Sequence, residues 1–541
     1  YEVFLTTLKL RNEKKIELMK KGNNNVSEIG GVFTAFVCHT AGILAGTAVT
    51  FAGNVHYIVF AKIIPMVQNM LGMPVDSYWF PDATRYIGYN PETNDKTIHE
   101  FPSYSFVLGD LHAHVTNIIF VLTLLAVLFA WLLSRRDAMK KAVLGEAEPV
   151  NYKKEMLHPN IIMLSFFIGI FQMTNYWDFP IYFVVCGAVI LVSNAVICGF
   201  SAKTFALTAL HAAEFLVISF ATALMFTVRF DSMAKGIGLC DKHTELYQMI
   251  VVWALPFAMI IGYLVTTIKE EQQRRMERLT TEEHKNPFFA WLQHLKISEL
   301  FLLILGLCAI GLVLIPEVIY IVDIYSGDFK RANTMFKLTY QAFIMFGICM
   351  GAIIIRFLVL PKNGKQFAAG FIILFLLVEN LGYFDNASHA WFGEYEKQEN
   401  YKSLDAAEFI YEDAPADAKA IAWINENIEG RPVILEANGD SYTLYNRVSF
   451  LTGCPTVVGW HTHEWLWKND VSLVDARAED VKAIYISGEP ELAKMLLAKY
   501  NVEYLYVGKL EREKYVSEYV FDYDYLRSLG EVVYEDDGES Y

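Results

Sequence analysis

The stretch Asn117–Leu133, NIIFVLTLLAVLFAWLL, carries no charged residue and shows no polar stripe at helical spacing. A globular helix keeps a polar face, whereas a helix in hydrocarbon is apolar all round and needs about 20 such residues in a row. Comparable tracts recur at Ile181–Cys198, Phe301–Ile315 and Phe367–Leu377. With 54% hydrophobic residues among 541, the chain holds more apolar material than one water-soluble core uses. The composition is that of a polytopic α-helical membrane protein.

Working outward from these tracts, nine spans are expected, near residues 32–52, 116–133, 160–174, 181–198, 204–226, 247–267, 299–322, 336–357 and 367–384. The apolar start Tyr1–Leu10 runs into a basic stretch without a small-residue cleavage site, so it reads as the end of an earlier span and not as a signal peptide. Lysine and arginine favour cytoplasmic loops, and Lys9–Lys21, Arg135–Lys154, Lys269–Lys285 and Arg356–Lys365 fall on one side of the expected topology. That side is read as the inside. The long loop 53–115, the turn Asn175–Pro180, the loops Arg229–Glu245 and Asp323–Lys337, and everything after Asp385 then face outward.

Two domains follow: a transmembrane domain 1–384 and an extracytoplasmic soluble domain 385–541. In the second, Ala416–Ile428 and Glu491–Tyr500 read as helices, and Pro432–Ala437 and Val502–Val507 as strands, an α/β alternation. The net charge of -15, with acids concentrated after Asp385, argues against a nucleic-acid partner. Five of the seven cysteines lie in apolar tracts; Cys240 and Cys454 remain, and no disulfide framework or CxxC pair is present. No GxGxxG, Walker A, HExxH or GxSxG pattern occurs, which leaves common nucleotide sites, zincin proteolysis and hydrolase-elbow chemistry without support.

Four stretches carry residues suited to chemistry. EFPSYSFVLGDLHAH, residues 100–114, brings Glu100, Asp110, His112 and His114 to a membrane boundary, where ionisable groups serve a site or an interface. Asp110 is the expected base, and Asp110, His112 and His114 the expected ligands of a divalent cation, Mg²⁺ or Mn²⁺. The alternative is a helix cap at Gly109–Asp110 with histidines among headgroups. TNYWDFP, residues 174–180, holds Trp177 and Asp178 in a short turn, either as a site or as an interfacial anchor with a cap before Pro180. YSGDFKRANTMFK places Lys330, Arg331, Asn333 and Lys337 on the outward side, against the inside preference of bases; binding a lipid phosphate or diphosphate explains this, as does pairing with headgroups. GWHTHEW gathers Trp460, His461, His463 and Glu464 with further tryptophans, a group able to stack on a sugar or dock on a membrane, while HxHE spacing alone is weak for zinc.

The segments EFPSYSFVLGDLHAH, NYWDFP, RANTMFK, SYTLYNRVSFLTGCPTVVGWHTHEWLWK and NVEYLYVGKLEREKY occur in one order between about Ala45 and Tyr515. In them the chain resembles the YYY integral membrane proteins, an uncharacterised prokaryotic family grouped with the GT-C glycosyltransferases. The resemblance implies a GT-C-like fold and transfer of a sugar from a polyprenyl-phosphate-linked donor to an acceptor glycan, lipid or protein at the outer face of the cell membrane. It makes Asp110 the acid of the long loop and Asp178 a second acid, with Glu100 nearby. The WWDYG sequence of oligosaccharyltransferases is absent, and GWHTHEW is similar to it only in placement. Two other classes stay open: a transporter or flippase of a lipid-linked glycan, and a non-catalytic envelope assembly protein.

Overall fold

The computed structural model describes residues 45–46, 48–146, 150–156, 158–230, 234–277, 287–359, 361–393, 405–468, 470–516 and 522–536. Among them, seven helical segments are long and apolar enough to cross a membrane: Ala113–Ser134, Asp178–Cys198, Ala202–Thr227, Leu246–Met276, Ile297–Glu317, Gly327–Leu358 and Gly364–Phe392. The regular helices are α1 (Ile118–Ser134), α2 (Pro159–Met173), α3 (Asp178–Cys198), α4 (Ala202–Thr227), α5 (Leu246–Glu277), α6 (Ile297–Leu314), α7 (Ala332–Leu358) and α8 (Gly364–Phe392). The expected span 32–52 lies outside the described residues except for its last turns, which are helical. The loop Lys9–Lys21 lies outside them altogether.

Helix α2 has 15 residues, about 22 Å of rise, short of a hydrocarbon core about 30 Å thick. Pro159 opens it, and His158 caps it by accepting from the Asn160 N–H at 3.2 Å. It lies closely against α4. A Cβ on Gly169 would stand 2.6 Å from Thr222 Cβ and 2.8 Å from the Ser219 carbonyl oxygen, so only glycine lets the backbones approach this far.

Three boundaries differ from the sequence reading. The span expected at 299–322 leaves the helix at Leu314, passes Pro316 in a 3₁₀ turn, and continues as strand β2 (Ile319–Val322), antiparallel to β1 (Gly236–Leu239). IYIV is apolar in either conformation, and hydropathy alone does not separate them. Helix α7 starts at Ala332, so Lys337 belongs to its second turn and not to a loop. Helix α8 continues to Phe392, past the boundary drawn at 384. By its internal contacts the chain divides into a helical unit through Lys397 and a C-terminal unit from Gln398.

The first loop is an ordered layer tied to the helices. The Asn54 side chain donates to the Ala83 carbonyl at 2.9 Å, Tyr383 Oη to Phe80 O at 3.2 Å, Gln248 Nε2 to Asn90 O at 3.0 Å, and the Lys96 N–H to Asp328 O at 2.7 Å. Buried Tyr57, Phe80, Phe101 and Tyr104 of the loop form one aromatic cluster with Tyr383 of α8.

In the C-terminal unit, β3 (Val433–Leu435) pairs in parallel with β4 (Val502–Leu505), the two strands expected from sequence. Helices α9 (Pro415–Asn427), α10 (Arg447–Thr452), α11 (His461–Lys468), α12 (Val471–Ile486), α13 (Pro490–Lys499) and α14 (Lys509–Val516) accompany them. Fully buried Arg447 bonds Asp417 Oδ2 at 2.5 Å and Glu511 Oε2 at 2.9 Å, joining α9, α10 and α14. Glu436, at the end of β3, accepts the Val448 and Ser449 N–H groups at 2.9 and 2.7 Å. Burial and the neighbouring Glu511 push its carboxyl up to about 7. Replacing Arg447 by Met leaves two buried carboxylates unpaired, and the C-terminal unit is expected to lose about 3–5 kcal/mol. Hydrogen exchange should then accelerate throughout α9–α14; unchanged protection there would show that the triad does not hold the unit together.

Candidate functional site

Three of the four residues singled out in EFPSYSFVLGDLHAH converge. Ligand atoms of Glu100, Asp110 and His114 all lie within 4.8 Å of one another, the one group of this kind among the described residues. The local sequence makes this possible. Pro102 opens a short helix over Pro102–Val107, Gly109 reverses the chain at φ +63°, and the Asp110 N–H returns to Ser105 O at 2.9 Å. The carboxylate of Asp110 thereby lies beside the first turns of the Ala113–Ser134 span.

Asp110 Oδ1 accepts the His112 N–H at 2.9 Å and also pairs with His112 Nδ1. The His112 side chain is 55% exposed and turned outward, so it braces Asp110 and stands outside the ligand group. His114 is buried, with Nε2 at 3.8 Å from Asp110 Oδ2 and without a hydrogen-bond partner. Its Nδ1 lies 3.3 Å from Lys337 Nζ, and its ring packs edge-on against Phe336 and Tyr340. Where Lys337 donates to Nδ1, the imidazole proton sits on Nε2 and faces Asp110; the other tautomer leaves Nε2 free to bind a cation.

Lys337 interacts electrostatically with Glu100, Asp110 and Asp178 together. An ammonium inside a span is tolerated when acids surround it. Asp178 is the first residue of α3, fully buried, and accepts from Asn117 Nδ2 at 2.5 Å through Oδ2 while Oδ1 has no partner. Asp178 is therefore part of a helix start and not of a free turn. Trp177 packs against the helical core. Glu100 accepts from Arg85 Nη2 at 2.6 Å, and Arg85 also donates to Thr84 Oγ1 at 2.8 Å and lies over the Tyr104 ring.

Sequence reasoning missed Arg85 and Asn117. A lone polar residue heading the apolar run at 117 was the available signal for the second; Arg85, in a polar loop, offered none.

Of the residues expected to hold a phosphate, Arg331, Lys330 and Asn333 lie against acids and apart from the cluster. Arg331 is buried and fully engaged: Nη2 reaches Asp95 Oδ2 at 2.6 Å and Thr244 Oγ1 at 3.2 Å, Nη1 reaches Glu317 Oε2 at 2.9 Å and Pro316 O at 3.2 Å, and Nε reaches Asp95 Oδ1 at 3.0 Å. No donor is left for an anion. Lys330 stands 3.8 Å from Asp241 Oδ2, and Asn333 donates to Asp323 Oδ2 at 2.7 Å. These bases sit where acids neutralise them. Lys337 alone of the four adjoins Asp110 and His114.

In the C-terminal unit, Trp460, His463 and Glu464 line a cavity of about 460 Å³ with Asn446, Phe450, Trp467 and Lys468. Trp460 Nε1 donates to Tyr445 O at 2.7 Å, and His463 Nδ1 pairs with Ser441 Oγ at 2.6 Å. His461 turns to Asp475 at 2.7 Å, so the two histidines serve different partners and do not form one ligand set. Tyr442 holds φ +62° with its ring against Trp460 and His463, a conformation that costs a non-glycine residue roughly 1–2 kcal/mol.

Residues 17–346 match an uncharacterized membrane protein family, DUF2298. The chain belongs to this family. It is a multi-pass membrane protein, and the resemblance to the YYY proteins holds at the level of an uncharacterised membrane family. The DUF2298 match contains Glu100, Asp110, His114, Asp178 and Lys337 and stops before the C-terminal unit, a shorter extent than the resemblance between Ala45 and Tyr515. No curated protein matches the chain.

Arg331→Leu would strand Asp95 and Glu317, and about 3–5 kcal/mol of stability should go with it. Thermal unfolding of the purified chain in detergent reads this directly. An unchanged Tm would mean that the ion pairs fasten nothing.

Proposed function

We propose that this DUF2298 chain is a GT-C-type membrane glycosyltransferase, moving a sugar from a polyprenyl-phosphate-linked donor to an acceptor on the outer face. The observation that carries the reading is the convergence of Glu100, Asp110 and His114 with the buried ammonium of Lys337. Two helices begin at this cluster, at Ala113 and Asp178, and their N-terminal dipoles favour an anion such as a phosphate. The acids lie at one end of the bundle; alternating access would place a charged site nearer the middle of the spans.

In the proposed step, an acceptor hydroxyl oxygen attacks the anomeric carbon as the bond from that carbon to the phosphate oxygen breaks, with inversion. The acceptor proton goes to the carboxylate of Asp110, which His112 holds in place. The electron pair leaves with the phosphate, whose charge is stabilised by Lys337. Asp178, held by Asn117, supports the positive charge of Lys337 from the other side.

The donor set of two carboxylates and an imidazole with a free Nε2 fits Mn²⁺ or Mg²⁺, with Glu100, Asp110 and His114 as its ligands. When bound, such an ion supplies charge stabilisation to phosphate oxygens. Holding such an ion through Nε2, His114 would carry its proton on Nδ1 and would not accept from Lys337, whose ammonium would face the leaving group. The C-terminal unit is assigned to the outer face on the loop-charge asymmetry, and Trp460, His463 and Glu464 to acceptor binding on the aromatic character of their cavity.

Transfer from a radiolabelled polyprenyl-phosphate sugar, measured in reconstituted vesicles, tests the reading. Asp110→Asn should lower the rate by about 10²–10⁴-fold, with the Tm unchanged. Undiminished transfer by the variant would refute the assignment of the base.

A further inference from the structure

A second polar cavity, of about 380 Å³, opens in the long first loop and shares one residue, Arg85, with the surroundings of the cluster. Arg85 lines the cavity and bonds Glu100 at 2.6 Å, so a single guanidinium joins the cavity to the cluster. The walls are aromatic and hydroxylated: Tyr78, Trp79, Tyr86 and Tyr89, with His56 at the back and Asp82 at the mouth. None of these has a place in the catalytic step.

His56 is buried, stacks on Phe60 at 4.3 Å, meets Tyr86 edge-on, and pairs with Tyr78 Oη through Nδ1 at 3.3 Å. Burial drives its pKa down to about 4, so the ring is neutral near pH 7. Neutral imidazole and phenols exchange hydrogen bonds with hydroxyl groups and bring no net charge. The carboxylate of Asp82 has no hydrogen-bond or ion-pair partner among the described residues, and Asp76 adds a second negative charge to the wall. Arg85 donates to Glu100 and to Thr84, and Glu100 counters its charge. A free phosphate or a uronic acid therefore meets Asp76 and Asp82, with the cation of the wall already ion-paired to Glu100.

Trp79, about half exposed, offers an aromatic edge at the opening. A sugar ring presents apolar C–H faces and a rim of hydroxyls, and rings combined with isolated hydrogen-bonding groups suit it. The volume lies at the small end of ligand sites, which run from about 300 to 1,000 Å³. That is room for one or two sugar rings.

We propose that this cavity is a subsite for an uncharged pyranose, with Trp79 and Tyr89 as its stacking faces and Asp82 and His56 as its hydrogen-bond partners. The inference deepens the transfer reading and rests on it for the way the sugar arrives, attached to its carrier or as the acceptor.

Binding is tested apart from transfer. The full chain in detergent micelles is titrated with methyl glycosides of glucose, galactose, mannose and N-acetylglucosamine, with saturation-transfer NMR as the readout. Inorganic phosphate, glucuronate and choline serve as charged competitors. At least one neutral glycoside should bind saturably, and Asp82→Ala and Trp79→Leu, both at exposed positions, should each weaken it tenfold or more at unchanged Tm. The inference is overturned if no neutral glycoside binds, if both variants bind it as tightly as the parent, or if a charged competitor occupies the site in its place. Glycoside binding that persists while transfer is never detected would leave the cavity assignment standing and remove the transferase reading.

Discussion

The buried pairing of Arg331 with Asp95 and Glu317 fixes the long first loop upon the helices. Arg331 belongs to the start of α7, Asp95 to the loop, and Glu317 to the turn between α6 and β2. One planar guanidinium spends all its donors on holding three chain segments in register. Buried ion pairs are often neutral against apolar replacements of similar shape, yet removing one partner leaves a charge without solvent. The geometry of everything carried by the loop, Arg85, Glu100 and Asp110 included, depends on that clamp and on the lesser ties from Asn54, Gln248 and Tyr383.

With the loop fixed, an otherwise costly arrangement becomes tenable. Lys337 sits within a helix of membrane-spanning length, and three acids from two separate segments surround it. Each group offsets the desolvation of another, while Oδ1 of Asp178 and Nε2 of His114 keep unspent hydrogen-bonding capacity. Unspent capacity in a buried polar cluster is expensive in a purely structural network. It has a use where a ligand completes the set.

Much of the architecture was legible in the sequence because membrane helices declare themselves by uninterrupted hydropathy, and eight of the nine expected spans overlie helices among the described residues. The failures have local causes. Ile319–Val322 reads as helix until Pro316 is given its weight, and β1, its partner strand, lies far away in sequence. The cluster was legible in part because Glu100, Asp110 and His114 fall within one short segment. Arg331 was misread because Asp95 is 236 residues away, and nothing local shows that the guanidinium is already taken. Arg85 and the cavity behind it are likewise products of tertiary folding: aromatic residues scattered over 56–90 look unremarkable until His56 and Tyr78 meet.

In the reading proposed for this chain, loop and helices together build a cation site beside Lys337. Mn²⁺ titration of the full chain in detergent, followed by electron paramagnetic resonance, addresses it most directly. One bound ion per chain is expected, lost in Glu100→Gln and in Asp110→Asn and retained in His112→Ala, whose imidazole pairs with Asp110 without belonging to the ligand group. Absence of bound Mn²⁺ in the parent chain, or equal binding by Glu100→Gln, would rule out a cation site at this cluster.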